Sequence, residues 1–301
     1  MKCSRMFTDT VLGCFKKIVY CLFVAMLCAC NTDDDIENIP TLVVEGWIDN
    51  EGYPVVFVTT TIPITEEKHE LSELGNYILR WARVAVSDGE REVVLTGKLD
   101  KRYFPPYIYT TGALRGEVGK NYRLTVSYDK YYAEAETTIP QPPTLDSLRV
   151  RPCDDSDTLY QIRAYFHDDL EQKSYYKFFT CMGNYSRMFL SSYMQTLSNE
   201  VFTPDEEIDI AVYKGRLVTN RETYIPYFKE TDSVLVKFVR MDSISFCFWN
   251  QMEHNMALGG LPMTAAQKNP HSNIRGGQGY WCGYGSSVYP VVVADSLCPN
   301  H

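Results

Sequence analysis

Apolar positions along this chain recur mostly at every second residue. "TLVVEGWID" (41–49) and "PVVFVTTT" (54–61) are β-branched runs separated by the turn-forming "NEGYP". "ARVAVSDGEREVVL" (82–95) predicts a hairpin turning at Asp88-Gly89. "KRYFPPYIYT" (101–110) holds Pro105-Pro106, which suits an edge or an interruption rather than a central strand. In "YRLTVSY", Tyr122, Leu124, Val126 and Tyr128 alternate with polar neighbours, and Asp129-Lys130 supplies the next turn. Some seven short strands in about 100 residues predict an immunoglobulin-like β-sandwich over 41–139.

"TIPQPPTLDS" (138–147) then interrupts the pattern, because its prolines remove the backbone donors a sheet needs. Strand patterns resume in "LDSLRV", "TLYQIRAYFHD", "SYYKFFTCMG" and "SVLVKFVRMD". "SISFCFWNQMEHNMALGG" (243–260) differs: Ile244, Phe248, Met252 and Met256 recur every four residues. Ser243 is placed to cap this segment and Gly259-Gly260 to end it, so a helix is predicted near 243–258. The expectation is a mainly β chain: a sandwich over 41–139, then a second β-rich domain over 145–301 carrying one α-helix.

The first forty residues follow neither period. Lys16 and Lys17 precede "IVYCLFVAMLCA" (18–29), an apolar run of twelve residues, too short for a bilayer but right for a signal-peptide core. Leu27, Cys28 and Ala29 before Cys30 resemble the bacterial lipobox, with Cys28 a departure from its usual small residue. Residues 1–29 therefore read as a lipoprotein signal peptide and Cys30 as the lipidation site. Two acyl chains there would anchor the protein stably. "CNTDDDIENIP" (30–40), with Asp33, Asp34, Asp35 and Glu37, reads as a solvated acidic tether. It also resembles an export signal to the outer face of the outer membrane.

Composition narrows the partners. The chain has 301 residues and a formal net charge of −9. Loss of residues 1–29 removes four basic residues and one acidic one, leaving 25 Lys/Arg against 37 Asp/Glu and a charge of −12. With no basic cluster, nucleic acid is excluded as a partner. The 22 tyrosines, with 14 phenylalanines and 4 tryptophans, favour strand.

"LVVEGWI", "GKNYRLTVSYDKYYAEAETTIP" passing into "LDSLRV", and "NPHSNIRGGQGYWCGYG" together resemble a Bacteroidetes surface lipoprotein family catalogued as domain of unknown function 4249. Gln278 and Cys282 fit that pattern less well. The resemblance implies an outer-membrane, outward-facing role beside TonB-dependent nutrient transporters. It brings no reaction, ligand or catalytic residue.

Candidate chemistry is sparse. In "NPHSNIRGGQGYWCGYG" (269–285), Tyr280, Trp281 and Tyr284 could offer rings to a sugar or peptide, with Asn273 and Arg275 as polar partners. The competing reading is a glycine-rich turn feeding a final strand, with Trp281 buried and Asn273 bonding local backbone. "FHDDLE" (166–171) gathers His167, Asp168, Asp169 and Glu171, but without metal-loop spacing it reads as a polar turn. His254 lacks the second histidine of a zinc-protease helix, and no GxSxG occurs. No metal or cofactor is implied, and catalytic residues are not assignable. Cys153, Cys181, Cys247, Cys282 and Cys298 form no CxxC pair. Asp-Ser/Thr-apolar triplets at Ser147, Thr158, Ser233, Ser243 and Ser296 resemble an O-glycosylation signal, with Ser243 reserved for helix capping.

The expected function is a non-enzymatic accessory that binds substrate for, or docks onto, a TonB-dependent transporter. A surface glycan or peptide hydrolase is the alternative, and it requires a cleft with two facing carboxylates. A structural or adhesive surface protein is a further alternative.

Overall fold

A computed structural model describes residues 41–61, 73–154, 156–183, 188–215, 224–258 and 269–294. The leader, Cys30 and the acidic tether lie outside the described residues, as do Gly259-Gly260, Ser296 and Cys298.

The largest element is an eight-stranded sheet. In spatial order it runs β12 (Leu190–Ser198), β11 (Tyr175–Met182), β15 (Ser233–Met241), β16 (Gln278–Val292), β1 (Leu42–Asp49), β2 (Val55–Thr60), β6 (Tyr107–Thr110) and β5 (Thr96–Leu99). Every pairing is antiparallel except β1 with β16, which is parallel from Val43–Gln278 to Asp49–Tyr284.

Two four-stranded sheets cover one face of this sheet. The first contains β4 (Glu92–Val94), β3 (Arg83–Ser87), β7 (Asn121–Tyr128) and β8 (Tyr131–Thr138). Its hairpin turns fall where expected: Asp88 Oδ1 accepts from the amides of Glu90 and Arg91, and Asp129 takes a positive φ of 50°. The second contains β9 (Ser147–Cys153), β10 (Ser156–Phe166), β13 (Ile208–Val212) and β14 (Phe228–Lys229).

Strand alternation sorts the side chains into two faces. Leu42, Val44 and Ile48 of β1 and Trp281 of β16 pack with Val84, Tyr122 and Leu124 into one core. Tyr176, Phe178, Val236 and Phe238 pack with Ile162, Ala164 and Phe166 into a second. The intervening residues, Glu45, Trp47, Asp49, Phe179, Lys237, Tyr280 and Tyr284, point to the opposite face. There lies α1 (Ser243–Leu258), the predicted helix.

The first core draws mainly on residues before the proline-rich stretch and the second on residues after it, but the backbone does not divide there. β16 of the C-terminal half is hydrogen-bonded to β1 of the N-terminal half, and its Trp281 fills the N-terminal core. The described residues form one compact unit. The glycine-aromatic block is also more than a turn feeding a strand, because the strand starts at Gln278 inside it. Glycine is needed where β16 crosses the chain leaving β8: a Cβ at Gly285 would lie 2.2 Å from Pro140 O.

The helix cap needs correction. Asp242, not Ser243, accepts the Ser245 amide at 2.7 Å, and its other oxygen accepts from Thr137 Oγ1 at 3.1 Å. A carboxylate also suits the positive end of the helix dipole. The buried stripe is displaced too: Ile244 is exposed, while Ser245, Phe248 and Glu253 are buried.

Candidate functional site

The uncovered part of the large sheet forms the floor of a cleft of ≈ 610 Å³. β1 contributes Glu45, Trp47 and Asp49; β2 contributes Val55 and Phe57; β16 contributes Tyr280, Tyr284, Ser286 and Val288. Phe179 of β11, Lys237 of β15 and Trp249 of α1 close one end. Tyr103 and Phe104, from the loop before β6, stand at the other.

The walls are aromatic. The Trp47 ring centroid lies 6.0 Å from Phe57 and 6.2 Å from Tyr103, and Phe57 and Tyr103 meet edge-on at 5.9 Å. Tyr280 packs 4.5 Å from Phe248 and 5.5 Å from Trp249. Trp249 Nε1 donates to Tyr284 Oη at 2.8 Å, fixing both rings.

On this side of the sheet the carboxylates of Asp49 and Glu253 each meet a lysine, and that of Glu45 does not. Lys237 Nζ touches Asp49 Oδ1 at 2.5 Å, as an ion contact rather than an aligned hydrogen bond, with the Phe179, Phe189 and Tyr284 rings 5.3–5.6 Å from the ammonium. Lys177 Nζ lies 2.6 Å from Glu253 Oε1 beneath α1 and 4.7 Å from the Trp249 ring. Glu45 sits between Phe57 and Tyr280 in the strand register, and among the described residues no side chain pairs with it.

Burial sets the local acidities. It raises the Glu45 carboxyl above the ordinary carboxylate value and pushes the Tyr280 and Tyr284 phenols well above theirs. It carries the Cys282 thiol up to about 12. For Lys177, burial outweighs the attraction of Glu253 and lowers the ammonium's pKa.

The predicted ligand residues do not stay together. Tyr280 and Tyr284 line the cleft. Trp281 points the other way, is wholly buried, and donates Nε1–H to Tyr122 O at 2.9 Å. Asn273 clamps Trp281 through its backbone, with Nδ2 donating to Trp281 O at 2.8 Å and Oδ1 accepting from Trp281 N at 2.9 Å. Arg275 is exposed beside Glu134, 3.2 Å away. The five do not share a ligand: strand alternation turns Trp281 away from Tyr280 and Tyr284, and Asn273 and Arg275 are engaged elsewhere.

Other expectations resolve individually. Asp168 is taken by Tyr176 Oη at 2.5 Å and Arg240, and His167 Nδ1 meets Asp146 at 2.7 Å. Among the described residues no three His, Cys, Asp or Glu side chains converge as metal ligands. Cys247 is exposed and Cys282 buried, both as free thiols. Of the hydroxyls in glycosylation-like triplets, Thr158 is exposed and Ser233 is partly buried at the start of β15. Ser147 Oγ is closed off from solvent, which keeps a glycan from reaching it in the folded chain.

The residues that sequence reasoning missed are Glu45, Trp47, Asp49, Lys177 and Lys237. A signal was present. Glu45, Trp47 and Asp49 fall at alternate positions of one strand, so acidic and aromatic groups share a face. "YYKFF" and "VLVKFV" each set a lysine among apolar residues, which calls for a buried partner.

No curated protein matches the chain. A family model, Domain of unknown function (DUF4249), matches residues 30–289, and the chain belongs to that family.

Proposed function

We propose that this protein is a lipid-anchored accessory of the outer-membrane surface, holding a ligand in its sheet-face cleft for a TonB-dependent transporter. The observation that carries the binding role is the cleft itself: ≈ 610 Å³, walled by aromatic rings with charged and polar side chains set among them, a size and mixture suited to a small ligand. The lipobox-like leader ending at Cys30 and the acidic tether support the anchored location. The transporter association is what the family resemblance implies. Among the described residues no helix is long and apolar enough to cross a membrane.

A hydrolase fits this cleft less well. Glu45 and Asp49 lie four residues apart on one strand, roughly 13 Å at the usual rise, whereas glycosidase carboxyls stand about 5–10 Å apart across the scissile bond. Asp49 is also already engaged by Lys237.

Isolation of the native protein from detergent-solubilised membranes tests the proposal. A TonB-dependent transporter should co-elute with the wild type. Its absence from the eluate would end the docking role.

A further inference from the structure

Glu45 differs from the other acids on its side of the sheet. Asp49 has Lys237 and Glu253 has Lys177, each at or within 2.6 Å. Glu45 has aromatic neighbours instead: Phe57 on β2 and Tyr280 on β16 stand directly beside it, and Trp47 follows on the same face. Glu45 is half-buried, and a carboxylate held among rings gives up part of its water without a counter-charge in return. A cation against Glu45 would reverse that, and the negative faces of the rings would attract the same cation.

The charges around the cleft agree. Lys237 is neutralised by Asp49. Arg102 and Lys98 both turn to Asp100, at 2.5 and 4.0 Å. The acids left facing the cleft are Glu45 on its floor and Glu51 at its rim. On the cleft floor an anionic ligand would meet the uncompensated Glu45 carboxylate and a lysine already held by Asp49. A neutral sugar would leave Glu45 without its counter-charge.

The geometry points to an organic cation as the occupant: an ammonium group on an apolar body, its charge against Glu45 and its body among Trp47, Phe57, Tyr103 and Tyr280. This assignment rests on the ligand-binding reading of the cleft and adds the ligand's charge and shape to it. Exposed Tyr53, Phe104 and Val288 at the mouth suit the apolar portion.

A charge series on one molecular frame is the test. Benzylammonium, benzyl alcohol and benzoate are titrated into the mature chain at fixed ionic strength, followed by calorimetry and by tryptophan fluorescence. Benzylammonium should bind at least about tenfold more tightly than either analogue, a margin within the range of desolvated cation–π and ion contacts. Glu45→Gln should remove that margin, while Arg275→Ala, remote from the cleft, should keep it. Equal or tighter binding of the alcohol or benzoate overturns the cation assignment and leaves a binding cleft. A margin unchanged in Glu45→Gln also overturns it. No heat or fluorescence change with any of the three removes the cation assignment together with the binding reading.

Discussion

Glu253 Oε1 accepts a hydrogen bond from Lys177 Nζ at 2.6 Å, with both side chains almost wholly closed off from solvent. The same carboxylate accepts the amides of Gln195 and Thr196 at 3.1 and 3.2 Å. Those amides lie where β12 slips register against β11, between Lys177–Thr196 and Phe179–Ser191, with Met194 at a positive φ of 53°. One helical side chain thus satisfies a buried lysine and the donors left unpaired by an irregular strand.

Removing either partner strands the other. Lys177→Met and Glu253→Gln should each cost about 3–5 kcal/mol, the usual penalty for an uncompensated buried charge. The double variant should lose at least about 2 kcal/mol less than the two single losses combined. Urea denaturation of the four proteins in a mutant cycle measures this. Single losses below about 1 kcal/mol would mean that the pair does not hold α1 to the sheet.

Trp281 and Asn273 belong to the core and not to the cleft. Trp281→Phe should cost about 2–4 kcal/mol from the void and from the unpaired Tyr122 carbonyl. Asn273→Ala should cost about 1–3 kcal/mol by freeing two backbone groups. Neither should alter probe binding at the cleft by more than about twofold. Gly279 is stricter still: its φ is +112° and a Cβ would lie 2.0 Å from Val44 O, so Gly279→Ala should fail to accumulate as folded protein in a soluble-expression assay.

The strands were largely legible in the chain's alternation, and α1 in its four-residue spacing, because those signals are local. The parallel pairing of β1 with β16 was not. Val43 and Gln278 meet across more than 230 residues, and nothing near either one encodes the partner. The proline-rich stretch interrupts the strand pattern locally, yet prolines say nothing about a strand returning much later. Tyr280 and Tyr284 were singled out as ring-bearing residues, and Trp281 between them was grouped with them. Only the face assignment separates the three, and that needs the register. Asp242 and its neighbour Ser243 are both residue types that cap helices, so sequence alone does not choose between them.

Thiol reactivity should follow burial. Cys247 is exposed, whereas Cys282 is fully buried with its thiol pushed up to about 12, so almost no thiolate forms at pH 8. Iodoacetamide on the native protein should label Cys247 within minutes and Cys282 only in denaturant. Peptide mapping reads both, and rapid native labelling of Cys282 would contradict its placement behind Tyr284 and α1.

Asp100 holds the two basic side chains at the cleft edge. Hydrogen bonds from Arg102 keep its carboxyl at about 2, below the ordinary carboxylate value. Because the folded value is the lower one, the interaction favours folding above the unfolded pKa of about 4 and is lost as pH falls toward 2. Carboxyl-carbon NMR should place the Asp100 midpoint at about 2, below the ordinary aspartate value. Arg102→Met should return it toward the ordinary range, and an unchanged midpoint would show that Arg102 is not the cause.

Everything proposed about the protein's place at the cell surface depends on Cys30. The intact mass of the protein extracted from membranes measures this directly. A chain beginning at Cys30 and carrying a diacylglyceryl thioether is the predicted result, and Cys30→Ala should remove the lipid and release the protein from the membrane fraction. A mature chain that begins elsewhere, or one that begins at Cys30 without lipid, would contradict it.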